Sequence, residues 1–169
     1  QELARLRKAA AEMESLQFRM WEPPRATVSA IRAKARMQRR ENGLGCLVVD
    51  YLQLIDSEYG VKHEKETYRI GETCRHLKKL AKELNIPVVV CCQLTRDAEG
   101  KEPTLSQLSD SGKIEQHADT VTAIHRMRGD SNEAKLLLLK WRNGQTPQIE
   151  VTFERQFCRF GELSPPEQP

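Results

Sequence analysis

The chain reads as an α/β domain organised around a parallel sheet, and three observations carry that reading. Leu44-Gly-Cys-Leu-Val-Val49 and Ile86-Pro-Val-Val-Val-Cys-Cys92 are continuous apolar runs, the pattern of strands buried on both faces rather than one. Between them, Ile70, Cys74, Leu77, Leu80, Ala81 and Leu84 recur at helical spacing. A strand, helix, strand alternation requires a right-handed crossover and a sheet with helices on its faces. Each run ends on a polar residue, Asp50 in one case and Gln93 in the other, so both are expected at one sheet edge, where open α/β sheets place ligands.

The elements follow in order. Leu3, Leu6, Ala10, Met13 and Leu16 mark an amphipathic helix over about 2–15, followed by a short strand, Gln17 to Trp21, which Pro23-Pro24 stops. Thr27 caps a second helix with Val28, Ile31, Ala35 and Gln38 along one face, closed by Asn42-Gly43. The strand Leu44 to Asp50 leads to a polar loop, 56–64, then to the helix Glu66 to Leu84, which Asn85 ends. After Gln93, residues 95–119 form a polar connection longer than most in compact domains, which marks it as functional or mobile. Strands are expected at Thr120 to Arg126, Ala134 to Lys140, Ile149 to Phe153 and Phe157 to Phe160. Asn143-Gly144 is a hairpin signal between the second and third of these. Residues 1–162 read as one portion of a domain and 163–169 as a Pro-rich tail.

Composition narrows the function classes. At 169 residues, 38% hydrophobic and 30% charged, with a mean hydropathy of -0.63, the chain is long enough for a real core. It has no apolar run near the roughly 20 residues that span a bilayer. The charged helical start lacks a signal-peptide core, and the missing initiator Met is read as a sign of an excised fragment. Five cysteines, three of them inside apolar strand patterns, point to a reducing cytosol and no zinc site. Adjacent Cys91 and Cys92 face opposite sides of a strand and cannot chelate together. A net charge of +3 proves no anionic partner. The basic cluster Arg32 to Arg40 reads as a solvated helix face.

Asp50 has two readings from its own segment. It is either a turn cap after a core strand or a ligand to hydrated magnesium, which needs only one or two carboxylates. Lys140 and Arg142 lie two apart, so a strand would extend both from one face.

Five runs decide between these readings: Val48-Val-Asp-Tyr-Leu-Gln-Leu54, Leu77-Lys-Lys-Leu-Ala-Lys-Glu-Leu-Asn-Ile-Pro-Val88, Gln93-Leu-Thr-Arg96, Ser111-Gly-Lys-Ile-Glu-Gln-His-Ala-Asp119 and Lys140-Trp-Arg-Asn-Gly144. In order and spacing they resemble successive motifs of the DnaB-type replicative helicase ATPase domain, over roughly 17–161. The resemblance implies a RecA-like, mostly parallel sheet with a C-terminal antiparallel hairpin, forming a hexameric ring that uses ATP and Mg2+ to translocate on single-stranded DNA. It implies that Asp50 holds magnesium through water and Gln93 senses the γ-phosphate. Lys140 and Arg142 then reach a neighbouring subunit's γ-phosphate, Arg142 as the finger that offsets transition-state charge. A primase and a helicase loader are the implied partners, in the cytoplasm.

The loop from Lys101 to Asp119 would face the ring channel and contact DNA through Ser109, Asp110, Ser111, Gly112 and Lys113. Here the chain departs from the family: Ser109-Asp110 stands where an Arg-Glu pair is usual, and Lys113 occupies a position that is often small. No aromatic residue lies between Thr95 and Asp119, so the expected grip is electrostatic and salt-sensitive. A larger departure is the phosphate cradle, Gly-X4-Gly-Lys followed by Ser or Thr. Gly100-Lys101 and Gly112-Lys113 are the only Gly-Lys pairs and neither fits. The family's catalytic glutamate matches nothing in this chain either. The chain is therefore expected to be inactive alone, or else to be a degenerate RecA-like binding or assembly module.

Overall fold

Thr27 opens and Gly43 closes the second helix, as their residue types dictate. In the computed structural model, which describes residues 2–58, 66–108, 111–126 and 131–162, Thr27 is extended and its hydroxyl accepts a hydrogen bond from Ala30 N at 3.2 Å. That satisfies one donor a helix start leaves open. Gly43 has φ of 78°, a region that glycine enters without steric cost. Asn85, with φ of 50°, performs the same service after the third helix.

The helices are α1 (Glu2–Ser15), α2 (Val28–Asn42), α3 (Glu66–Leu84) and α4 (Ser111–His117). The strands are β1 (Leu47–Val49), β2 (Val88–Val90), β3 (Thr120–Arg126), β4 (Glu133–Trp141), β5 (Gln148–Glu154) and β6 (Arg159–Glu162). β1 and β2 form a parallel pair with Val48 opposite Val89, joined through α3 as the crossover. β3 to β6 form a four-stranded antiparallel meander in sequence order. The α/β class is as expected, and the antiparallel part is larger than a single hairpin. Connections of a few residues, such as that from Trp141 to Gln148, can only join antiparallel neighbours, because a parallel return needs a crossover of a dozen or more.

The core sits where α2 and α3 meet the inner face of β1 and β2. Ile31 and Ala35 of α2 pack with Ile70, Leu77 and Leu80 of α3, and Leu52, Ile55, Leu108, Ile114 and Val121 complete the cluster. Ile70 is fully buried, at 0% exposure. Outside it, Arg32 and Arg36 of α2 bracket Glu83 of α3, so part of the basic run is a helix-to-helix tie. Glu83 is held below the usual carboxylate range by these guanidinium groups, Arg36 first. α1 buries none of its side chains.

Three expectations need correction. Residues 17–21 form no strand among the described residues; Phe18 and Met20 are exposed, and with no strand paired beside it the segment's amides and carbonyls are left to water. The connection 95–119 is not a plain loop. It contains two short 3-10 turns, Arg96–Ala98 and Leu105–Gln107, and all of α4, and it puts Leu108 and Ile114 into the core. The hairpin that Asn143-Gly144 signals is present, since β4 and β5 pair antiparallel across it, but its connection is longer than a two-residue type I′ turn, which needs positive φ at both residues, and neither has it. The last strand begins at Arg159 rather than Phe157, because Arg155–Phe157 is a 3-10 turn closed by Cys158 in the left-handed region. The expected Pro-rich tail at 163–169 and most of the polar loop 56–64 lie outside the described residues.

Candidate nucleotide and DNA site

Parity along the parallel pair decides which side chains share a face. In β1 and β2 the outer residues are half-buried against the core and the central valines are not: Val48 is 60% and Val89 50% exposed. Exposure keeps alternating beyond the strands, with Cys91 exposed, Cys92 half-buried and Gln93 exposed, while Asp50 is exposed directly after Val49. Asp50 and Gln93 therefore follow the open face of one parallel pair at its C-terminal edge. Past the strands the ladder continues, since Cys91 N donates to Val49 O and Leu52 N donates to Cys91 O, each at 2.9 Å. The two polar positions are fixed to one another through backbone.

Neither head group is spent on the fold. Among the described residues the Asp50 carboxylate and the Gln93 amide make no hydrogen bond or ion pair. Leu52 N, which an Asx turn at Asp50 would use, is given to Cys91 instead. The turn-cap reading of Asp50 thus has no hydrogen bond to support it. A free carboxylate on an exposed edge fits a hydrated magnesium ion, which keeps most of its waters and asks for one or two such ligands.

The chain behind Asp50 is held by groups the sequence did not announce. Arg69 of α3 reaches back to the carbonyls of Ile55 and Gln53, the latter at 3.3 Å, and also pairs with Glu66. The Arg69 hydrogen bond lowers the Glu66 pKa. Gln53 donates Nε2 to Cys92 Sγ at 3.2 Å, which ties the Asp50 side to the Gln93 side a second time. Its Oε1 is buried without a partner. Burial pushes the neighbouring Cys74 thiol up to about 12, with Cys92 adding to it, so Cys74 is a protonated filler here and not a nucleophile. The i, i+3 spacing of Glu66 and Arg69 was the only sequence signal for this grip, and it is common on helix surfaces.

Lys140 and Arg142 are placed differently. Lys140, near the end of β4, donates from Nζ to Glu115 O. Arg142 donates from Nη2 to Gln116 O at 3.1 Å, its backbone N donates to Asp119 O at 2.9 Å, and its Nε lies 3.7 Å from Asp119 Oδ1. Both side chains thus turn to the same side, as their spacing implied, and meet the last turn of α4. Lys78 of α3 also binds Asp119, and this hydrogen bond is the main reason the Asp119 carboxyl lies below the usual range. Between these two, Trp141 lies across Gly144: a Cβ there would come within 2.9 Å of the indole. Only glycine fits that turn without moving the ring.

Of the expected DNA-contacting residues, Ser109 and Asp110 lie outside the described residues, and Ser111 is described only as the start of α4. Gly112 and Lys113 are exposed in its first turn. A Cβ on Gly112 would meet nothing within 4 Å, so the fold itself does not demand glycine there. The Lys113 stem covers Gly71 of α3, 3.2 Å from where a Cβ would stand, and packs the two helices together. Because Gly112-Lys113 is part of a helix, it forms no phosphate loop. Among the described residues no three His, Cys, Asp or Glu converge as a metal cage, and no helix is long and apolar enough to cross a membrane.

The sequence model of the DnaB-like helicase C-terminal domain matches residues 1–162. The chain belongs to this family. Similar relatives of this DnaB-like domain include the replicative DNA helicase DnaB of Rickettsia prowazekii, 39% identical over 94% of this chain, and that of Mycobacterium leprae, 40% identical over 95%. The chain spans only 38% and 28% of their respective lengths. Among solved structures, one ATPase domain superposes with a TM-score of 0.87 at 27% identity, over 97% of this chain and 61% of that one. A DnaB-like replicative helicase, described with its interactions with primase, gives the same score and identity over 97% of this chain and 41% of that one. The fold is that of RecA-like helicase ATPase domains.

Proposed function

We propose that this DnaB-like domain is the later portion of an ATP-driven ring helicase motor, catalytic only together with a phosphate-binding segment and with neighbouring subunits. The observation that carries the reading is the pair of uncommitted head groups, Asp50 and Gln93, on the open face at one sheet edge. When bound, Mg–ATP supplies the γ-phosphoryl group and a divalent charge at that edge. Asp50 would hold the magnesium ion, and Gln93, which can both donate and accept, would sense the γ-phosphate or the attacking water. Lys140 and Arg142 act on the neighbouring protomer's site, where Arg142 offsets the charge that develops during transfer.

Residues 109–113 meet the DNA backbone and read no sequence. Assembly into a hexamer on single-stranded DNA, translocation and unwinding, contact with primase or a loader, and a cytoplasmic setting belong to the same proposal. They rest on the family and on the relatives' names.

Hydrolysis assays on the full-length protein test it. Magnesium-dependent turnover is expected in the assembled ring, and Arg142→Ala should lower it by about 10³-fold or more while nucleotide still binds. Unchanged turnover in that variant removes the finger role. Turnover by the 169-residue chain alone would contradict the claim that the site is shared with another segment.

A further inference from the structure

We propose that Lys140 and Arg142 have a second role, in their own protomer: they are the positioning residues that hold α4, and this hold competes with their reach for a phosphate on a neighbour. The competition, though not the hold, rests on the function proposed above. A helix leaves its last carbonyls without internal partners and carries partial negative charge at that end. In α4, Lys140 takes the carbonyl of Glu115 and Arg142 that of Gln116. These are two consecutive acceptors in the final turn. Two more contacts close the joint, from Arg142 N to Asp119 O and from its guanidinium to the Asp119 carboxylate, which Lys78 of α3 binds from the other side.

Apart from these bonds α4 is held by packing, through Ile114 in the core and the Lys113 stem on Gly71 of α3. It is seven residues long, too short to be stable by itself, and Ile114 is its one buried side chain among those described. Its first turn carries Gly112 and Lys113, and residues 109 and 110 precede it directly. The two cations therefore help to place Gly112 and Lys113, the described part of the segment assigned to DNA.

Gln116 O takes one of the five Arg142 donors and Glu115 O one of the three Lys140 donors, so a phosphate group outside the chain that draws on the full set competes with the hold. Capture of a neighbour's phosphates by those same donors releases the last turn of α4, and a held α4 delays it. Each protomer thus links what its β4 end touches across the interface to the freedom of its own DNA segment. The two sides of this exchange are reciprocal, as any coupling between sites must be.

Hydrogen exchange of the full-length protein, with and without a non-hydrolysable ATP analogue and magnesium, tests both halves. Without nucleotide, Lys140→Ala and Arg142→Ala should each speed exchange of the amides at 114–118 by about tenfold, with β3 to β5 unchanged. Unchanged exchange at 114–118 overturns the hold. If Arg142→Ala loosens the sheet as well, Asp119→Asn, which removes the carboxylate charge that Arg142 and Lys78 share, must still speed the same amides while Lys78→Ala does so less, and failure there overturns the hold too. With nucleotide, the assembled wild-type protein should show faster exchange at 114–118. If Arg142→Ala abolishes hydrolysis yet nucleotide leaves those amides unchanged, the competition is wrong and the finger role stands. If Arg142→Ala hydrolyses normally, the finger role is wrong, and the hold is judged by the nucleotide-free data alone.

Discussion

The parallel pair β1 and β2 and the antiparallel sheet β3 to β6 solve the same problem in opposite ways. In the antiparallel sheet each strand finds its neighbour next along the chain, and Val121, Ala123, Ala134, Leu137 and Val151 are all buried. The parallel pair relies on α2 and α3 for one face and leaves Val48 and Val89 bare on the other. A parallel sheet in a complete α/β domain is covered on both sides. The uncommitted groups, Asp50 and Gln93, follow the bare face, while the committed ones, Lys140 and Arg142, sit on the self-sufficient sheet. The side chains already engaged within this chain lie at the end of the antiparallel sheet, and the unengaged ones lie on the open face of the parallel pair.

Three experiments break or sharpen that contrast, beginning with the largest effect. Ile70 joins α3 to everything the parallel pair rests on, so Ile70→Ala should cost about 2–5 kcal/mol in a denaturant titration. A cost under about 1 kcal/mol would mean that the inner face is as poorly packed as the outer one. Next, matched Val→Thr substitutions on the two sheets should part company. Val121→Thr places a hydroxyl among buried neighbours and should cost about 1–3 kcal/mol, whereas Val48→Thr in this chain should stay within about 0.5 kcal/mol. In the full-length protein the two costs should converge if another segment covers Val48. Equal costs in the 169-residue chain would contradict the bare face.

The smallest effect is electrostatic. Burial, together with Arg75 and Lys113, lowers the His117 pKa below its ordinary 6.5, so the unfolded chain takes up that proton first. Stability from this source is complete above 6.5 and is lost as pH falls through 6.5 toward the lower folded value. Asp119 behaves as a carboxylate held down by Lys78: its contribution is present above 3.8 and is lost as pH falls through its lower folded value. Melting temperatures between pH 7.5 and 5 should therefore decline less steeply in His117→Gln than in the wild type, with Asp119 silent over that range. Parallel slopes would remove His117 from the account.

What could be read from the sequence follows from how local each signal is. Thr27, Gly43 and Asn85 act within a turn of themselves, and the helices they bound came out at the expected places. Asp50 and Gln93 needed only strand parity and a parallel pairing to be put at one edge. By contrast, α4 is specified by contacts from α3 and from β4, more than twenty residues distant on either side, and its own seven residues look like loop. Gln17 to Trp21 shows the converse error, since a strand pattern without a ladder partner remains a pattern. Asn143-Gly144 is a local signal too, and the β4–β5 hairpin stands where it marks one. The grip of Arg69 on the Gln53 and Ile55 carbonyls left only the common i, i+3 spacing with Glu66 as a trace, because backbone acceptors have no letter in a sequence.

The indole over Gly144 has an optical consequence. The chain carries two tryptophans, Trp21 and Trp141, and the second is flanked on both sides by the cations that hold α4. With Trp21 and every tryptophan of the full-length protein outside these 169 residues replaced by phenylalanine, the remaining emission comes from the one residue between Lys140 and Arg142. Its wavelength and quenching give a label-free clock for the moment those cations change partners, readable in a stopped-flow cell on the timescale of a single turnover.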